Sequence, residues 1–232
     1  MMRILGTPEL VGARGPQGRS PRRCQELALY ILCHPGRSSA AVADALCLSA
    51  STVKSTASHL RSWIGSDEAG TPYFPQAVQG GYRLDDRVST DWDHLGELLA
   101  GQPINAADTP TLVNALALVE GRPLEGAAPG DFAWTQQLVN DIVMTVTDLA
   151  LELADRALAI RDIALARWAL AKALTCDPGA EQLMAARAKI EHQAGNMLEV
   201  DRIITQINQT SRQLGCDLAD DTMAVIDQVS NR

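Results

Sequence analysis

Between residues 39 and 84 the hydrophobic and polar positions change period more than once. Residues 39–46 (SAAVADAL) predict a short helix, residues 47–50 a connection, and residues 51–64 (STVKSTASHLRSWI) a second helix. In the second helix Val53, Ala57, Leu60 and Ile64 recur at spacings of four, three and four, one core-facing stripe. Gly65 follows as the stop, because glycine takes the positive-φ conformation of a helix C-terminus at little cost. Residues 73–84 (YFPQAVQGGYRL) then set two aromatic-rich arms around Gly80-Gly81, the pattern of a hairpin. Helix, turn, helix and hairpin wing together predict a shape that lays one helix in the DNA major groove.

Upstream, residues 2–6 and 10–15 are strand-like pieces broken by Gly and Pro, and they predict a small antiparallel sheet. Ser20-Pro21 pairs an N-cap serine with a first-position proline. The helix they open carries Leu27, Ala28, Ile31 and Leu32 at core spacing and stops at His34-Pro35-Gly36. Residues 85–91 are charged and aperiodic, so the domain boundary falls there, giving domains 1–90 and 91–232. Beyond it the pattern is helical: a short helix over 111–120 stopped by Gly121, a loop at 126–130, then long Ala/Leu-rich amphipathic stretches from Phe132. Asp162 and Asn196 both stand at helix breaks and lie 34 residues apart, with a turn at Cys176-Asp177-Pro178-Gly179 between them. That period predicts tetratricopeptide-like stacking. The expected fold class is an α+β winged helix-turn-helix domain followed by an all-α tetratricopeptide-like helical-repeat domain.

Charge divides the chain at the same place. Overall it is −8, but residues 1–87 hold ten Lys and Arg against seven Asp and Glu, +3, while residues 88–232 hold ten against 21, −11. A mildly basic head on an acidic body is compatible with nucleic-acid binding by the head alone. No apolar run reaches bilayer length and no leader pattern is present, so a cytoplasmic location is expected. The five cysteines, Cys24, Cys33, Cys47, Cys176 and Cys216, lack close pairs and are expected to be buried free thiols. His34, His59, His94 and His192 have no ligand spacing. Gly12, Gly15 and Gly18 are wrongly spaced for a dinucleotide loop, and Asp91-Trp92-Asp93 and residues 217–221 read as helix caps. No enzyme, cofactor or metal is expected.

The candidate DNA contacts lie opposite the core stripe of the second helix: Lys54, Ser55, Ser58, His59, Arg61 and Ser62. Lysine, arginine and serine reach phosphates and base edges, and no Asp or Glu occurs between Ala45 and Gly65. Arg83 beside the hairpin glycines is the expected wing contact. Arg22 and Arg23 occupy a first helical turn, where the dipole disfavours cations, so they either meet an external anion such as a phosphate or point into solvent.

In order along the chain, several short motifs resemble the Streptomyces antibiotic regulatory protein family. They are Arg3-Ile4-Leu5-Gly6 with Leu10, Leu27-Ala28 through His34-Pro35-Gly36-Arg37, His59-Leu60-Arg61 with Ile64-Gly65, and Gly81-Tyr82-Arg83-Leu84. Ala115-Leu116-Ala117-Leu118, Gly121-Arg122-Pro123-Leu124, Trp134, Ala173-Leu174 and Asp177-Pro178 follow. The resemblance implies a winged-helix output domain joined to a helical bacterial transcriptional activator domain, double-stranded DNA as partner, and a protein or self contact through residues 91–232. Where the family has an arginine-rich recognition helix, this chain has His59-Leu60-Arg61-Ser62, two fewer fixed charges. The resemblance extends to paired modules at the C-termini of longer, membrane-anchored actinobacterial proteins. It therefore leaves an alternative open: a protein–protein interaction module whose winged helix no longer binds DNA.

Overall fold

In the computed structural model, which describes residues 1–13, 21–77 and 81–230, the chain forms a small N-terminal region of short strands and helices, followed by a long, tightly packed all-helical region. Two compact units result, Met1–Gly96 with Pro123–Asn140, and Glu97–Arg122 with Asp141–Arg232.

The first unit begins with β1 (Met2–Arg3) paired antiparallel to β2 (Glu9–Leu10), Met2 opposite Leu10. Helix α1 (Pro21–Cys33) follows and buries Leu27, Ala28, Leu29, Tyr30 and Ile31. The expected cap, Ser20, lies outside the described residues, as do Gly15 and Gly18. After β3 (Arg37–Ser38) come α2 (Ser39–Ala45) and α3 (Ala50–Ile64), capped by Ser38 and Ser49 respectively. Both α1 and α2 pack on α3. Val53, Ala57 and Leu60 are fully buried as their spacing predicts, whereas the terminal Ile64 is only half-buried and Trp63 fills the core beside them. Gly65 caps the helix with φ 68° and ψ −145°.

The wing differs from the expected hairpin. β4 (Gly81–Tyr82) pairs antiparallel with β3, Arg37 opposite Tyr82, and no strand forms over residues 73–77. Pro75 in that arm lacks the N–H a ladder needs. The arm is still held close, since the Asp85 amide donates to the Tyr73 carbonyl at 2.9 Å. Residues 78–80, including the predicted tip at Gly80, lie outside the described residues. Gly81 is required by packing: a Cβ there would stand 2.6 Å from the Gly36 carbonyl oxygen.

Residues 123–140, which the sequence assigns to the second domain, belong to this first unit. The Leu124 and Glu125 amides donate to the carbonyls of Ile4 and Gly6, both at 3.0 Å, and so tie this segment to the N-terminal residues. Helix α4 (Asp91–Leu99) opens with a reciprocal cap. The Thr90 amide donates to Asp93 Oδ2 at 2.8 Å, and the Asp93 amide to Thr90 Oγ1 at 2.9 Å.

In the second unit, α5 (Thr109–Ala117) starts two residues before the predicted helix because Asp108 caps it, accepting from the Thr111 amide. Then come α6 (Gln136–Ala159), α7 (Ile163–Cys176), α8 (Glu181–Gln193), α9 (Met197–Leu214) and α10 (Asp220–Ser230). Helices α7 and α9 begin immediately after Asp162 and Asn196, the two positions the 34-residue period singled out. Past residue 90 the described residues contain no strand. Helix α8 touches α7, α9 and α10. Its buried alanines Ala185 and Ala188 let these neighbours approach, and Met184, Ala188, Ile203 and Ile207 form one shared cluster. This explains how so few aromatic residues suffice for the core.

Candidate nucleic-acid interface

Helix α3 presents the predicted residues in a definite arrangement. Ser49 Oγ accepts from the Thr52 amide at 3.0 Å and lies 2.7 Å from Thr52 Oγ1 and 2.8 Å from Ser51 Oγ, which fixes the helix start. At 100° per residue, Ser51, Ser55, Ser58 and Ser62 form the centre of the outward face. Lys54 and Arg61 share one flank, and His59 occupies the other. Lys54, Ser55, Ser58, His59 and Ser62 are all exposed. Ser55 Oγ donates back to the Thr52 carbonyl at 2.9 Å. No carboxylate lies on α3, and Lys54 and His59 make no ion pair among the described residues.

Arg61 is engaged differently. Its guanidinium lies 4.4 Å from the centre of the Phe74 ring and 6.0 Å from that of Tyr82, and its Nε donates to the Pro75 carbonyl at 3.4 Å. This stack pins the 73–77 arm against α3 through its cation–π attraction. Arg83, next to β4, is exposed and has no ion pair among the described residues. Arg37 on β3 shares that condition and was not singled out from the sequence.

Arg22 and Arg23 each reach a carboxylate of their own unit while their side chains stay 43% exposed. Arg22 lies 3.8 Å from Asp131, and Arg23 pairs with Glu26 at 3.0 Å. Glu26 is only 4% exposed and also accepts from the Phe132 amide at 2.9 Å. The two arginines therefore belong to the seam joining α1 to residues 123–140. The i,i+3 spacing of Arg23 and Glu26 was a legible signal for one of these pairs. The partner Asp131, 109 positions beyond Arg22 in sequence, had none.

Two further anchors frame the same unit. Asp91 is buried and accepts from the amides of Ile4 and Leu5 at 2.8 and 3.1 Å. Burial pushes its carboxyl above the usual carboxylate value, against the pull of these backbone donors. Arg87 bridges Asp67 and Asp85 and lies 5.1 Å from the Tyr73 ring centre. The arginine holds both carboxyls below their usual value.

The cysteines split: Cys24 and Cys176 are buried, but Cys33, Cys47 and Cys216 are exposed, contrary to the expectation that all would be buried. Burial pushes the thiols of Cys24 and Cys176 up to about 11, so neither supplies a thiolate at neutral pH. Among the described residues no cluster of three or more His, Cys, Asp or Glu side chains is arranged to hold a metal ion. No described helix is long and apolar enough to cross a membrane. No protein-family model matches the chain, and no curated protein matches it.

Proposed function

We propose that this chain is a DNA-binding transcriptional regulator located in the cytoplasm. A winged helix reads double-stranded DNA through α3, and a tetratricopeptide-like helical domain mediates dimerisation or protein contacts. The observation that carries this reading is the outward face of α3, where Ser51, Lys54, Ser55, Ser58, His59 and Ser62 stand together with no carboxylate among them. The helix start is fixed by the Ser49 cap, and α1 and α2 hold it from behind. Lys54, with Arg37 and Arg83, supplies cations free for phosphates, while the serines supply short donors for base edges.

A titration of double-stranded DNA fragments at two salt concentrations tests this. Affinity should fall with a log–log slope of about −0.9 per phosphate neutralised. Lys54→Ala should reduce that slope by about one unit. Absence of DNA binding at low salt would remove the reading.

A second reading, an interaction module without DNA binding, is favoured by a separate observation. Arg61, Arg22 and Arg23 all have internal partners in Phe74, Asp131 and Glu26. If these cations stay committed, the first unit offers DNA little fixed positive charge beyond Lys54, Arg37 and Arg83.

A further inference from the structure

Within the helical unit one wall of α6 remains open along a groove. At one end Leu151, Ala154 and Leu158 of α6 face Ala185 and Ala186 of α8 and Val225 of α10 around a cavity of about 240 Å³. At the other end Leu151 and Asp155 also border a wider hollow of about 490 Å³ with Ile104 and Asn105. Shared residues make the two one groove. From Asp148 to Leu158 it follows α6 for about 15 Å, three turns at 1.5 Å per residue. Its floor is apolar and half-open: Leu151, Leu158, Ile104 and Val225 are each only partly buried. The alanines on both walls leave room for side chains entering from outside.

The rim has one sign. Asp148, Glu152, Asp155 and Asp221 border the groove against a single ammonium, Lys189. Glu152 is answered by Arg156 at 2.7 Å, and the same arginine donates to the carbonyls of Ala107 and Asn105. Asp155 lies 3.9 Å from Lys189 with its side chain 73% exposed, too loose and too wet a pair to cancel its charge. Asp148 and Asp221 are exposed with no ion pair among the described residues. A low-dielectric floor between such carboxylates focuses negative potential where an apolar surface would dock.

We propose that this groove binds a cationic amphipathic helix of a protein partner, about three turns long, with leucine-like side chains on the floor and lysines or arginines at the rim. The proposal deepens the helical half of the functional reading as a protein-contact surface. It does not depend on whether α3 binds DNA.

The test uses the full chain and a fluorescein-labelled helical peptide of about 14 residues, leucines on one face and lysines on the other, beside its glutamate counterpart. Anisotropy should show the lysine peptide bound and the glutamate peptide unbound. Asp148→Lys with Asp221→Lys should weaken binding about tenfold or more. The control pair Glu68→Lys with Asp86→Lys changes net charge equally and should leave binding nearly unchanged, since both residues are exposed in the other unit. Circular dichroism verifies that each variant folds. Failure of the lysine peptide to bind, equal binding of both peptides, or equal weakening by both double variants overturns the proposal. So does light scattering that shows a dimer dissociated by Val225→Arg, because a second copy would then fill the groove. Loss of peptide binding with DNA binding intact sinks the groove alone, and the reverse sinks the α3 reading alone.

Discussion

In the first unit, buried carboxylates join segments far apart in sequence, whereas in the helical unit apolar faces join neighbouring helices. The long-range polar links of the helical unit, such as Arg156 to Ala107 and Lys172 to Val119, are only partly buried. Asp91 reaches back 87 and 86 residues to the amides of Ile4 and Leu5, and Glu26 reaches forward 106 to that of Phe132. Across the α7–α8–α9 stack the equivalent work is done by Ala169, Leu170, Ala173, Leu183 and Ala188, all essentially buried. Two polar clamps supplement them: Arg167 donates two bonds to Glu191, at 2.8 and 2.6 Å, with Asn196 donating a third at 2.9 Å, and Arg187 donates to Glu199 at 2.6 Å. Short strands of two residues carry little ladder energy, so the first unit depends on a few directional anchors. Adjacent helices depend less on such anchors, because their contacts close short loops and cost little chain entropy.

The strongest way to break this contrast is to remove one anchor and one core side chain. Asp91→Ala strands two buried amides and should cost about 4 kcal/mol, at about 2 for each unsatisfied donor. Leu170→Ala, in α7, should cost about 3 kcal/mol through lost transfer energy and a residual cavity. Urea denaturation followed by backbone circular dichroism measures both. A loss for Asp91→Ala below that of an ordinary surface substitution would mean that the anchors are incidental.

Acid titration sharpens the comparison because one anchoring carboxyl from each unit, Asp91 in the first and Glu191 in the helical one, is shifted, and the two shifts run in opposite directions. Hydrogen bonding to Arg167 holds Glu191 below its ordinary value of 4.5. Its contribution is therefore present above that value and is lost as pH falls through the lower folded value. Asp91 has the opposite sign, since burial raises its carboxyl above 3.8. Its contribution is full below 3.8 and declines as pH rises through the higher folded value. Thermal melts across this range should show the stability gap between the native chain and Glu191→Gln widening as pH rises. The gap to Asp91→Asn should narrow. The Glu191 effect is worth about 1–2 kcal/mol at neutral pH, discounted for the half-exposed arginine.

The smallest effects separate folding from surface chemistry on α3. Ser49→Ala removes the cap and should cost about 1 kcal/mol. Lys54→Ala touches only solvent and should stay within about 0.5 kcal/mol of the native chain in the same melts.

Several of these features were legible in the residues alone. The α3 core stripe was read from a 3.6-residue period, and the starts of α7 and α9 from Asp162 and Asn196, because helix periodicity and capping are local properties. The exposed placement of Lys54, Ser55, Ser58, His59 and Ser62 followed from the same period. Arg61 was a different matter: its period puts it on the outward flank, but the rings of Phe74 and Tyr82 lie within its reach. A long, flexible side chain takes its environment from whatever segment folds over it.

What the sequence by itself determined is therefore the helices of the first unit up to α3, the core stripe of α3, the breaks that start α7 and α9, and the change from strand-bearing to all-helical chain near residue 90. Each depends on interactions within a few residues, which a one-dimensional pattern records. Only the tertiary structure decided that β4 pairs with β3, that residues 123–140 join the first unit, and which partners within the chain Arg22, Arg23 and Arg61 reach. It also decided that α6, α8 and α10 leave an acidic, apolar-floored groove between them. These are pairings across long stretches of chain, and their specificity comes from shape and from which buried donor finds which acceptor once the elements have packed.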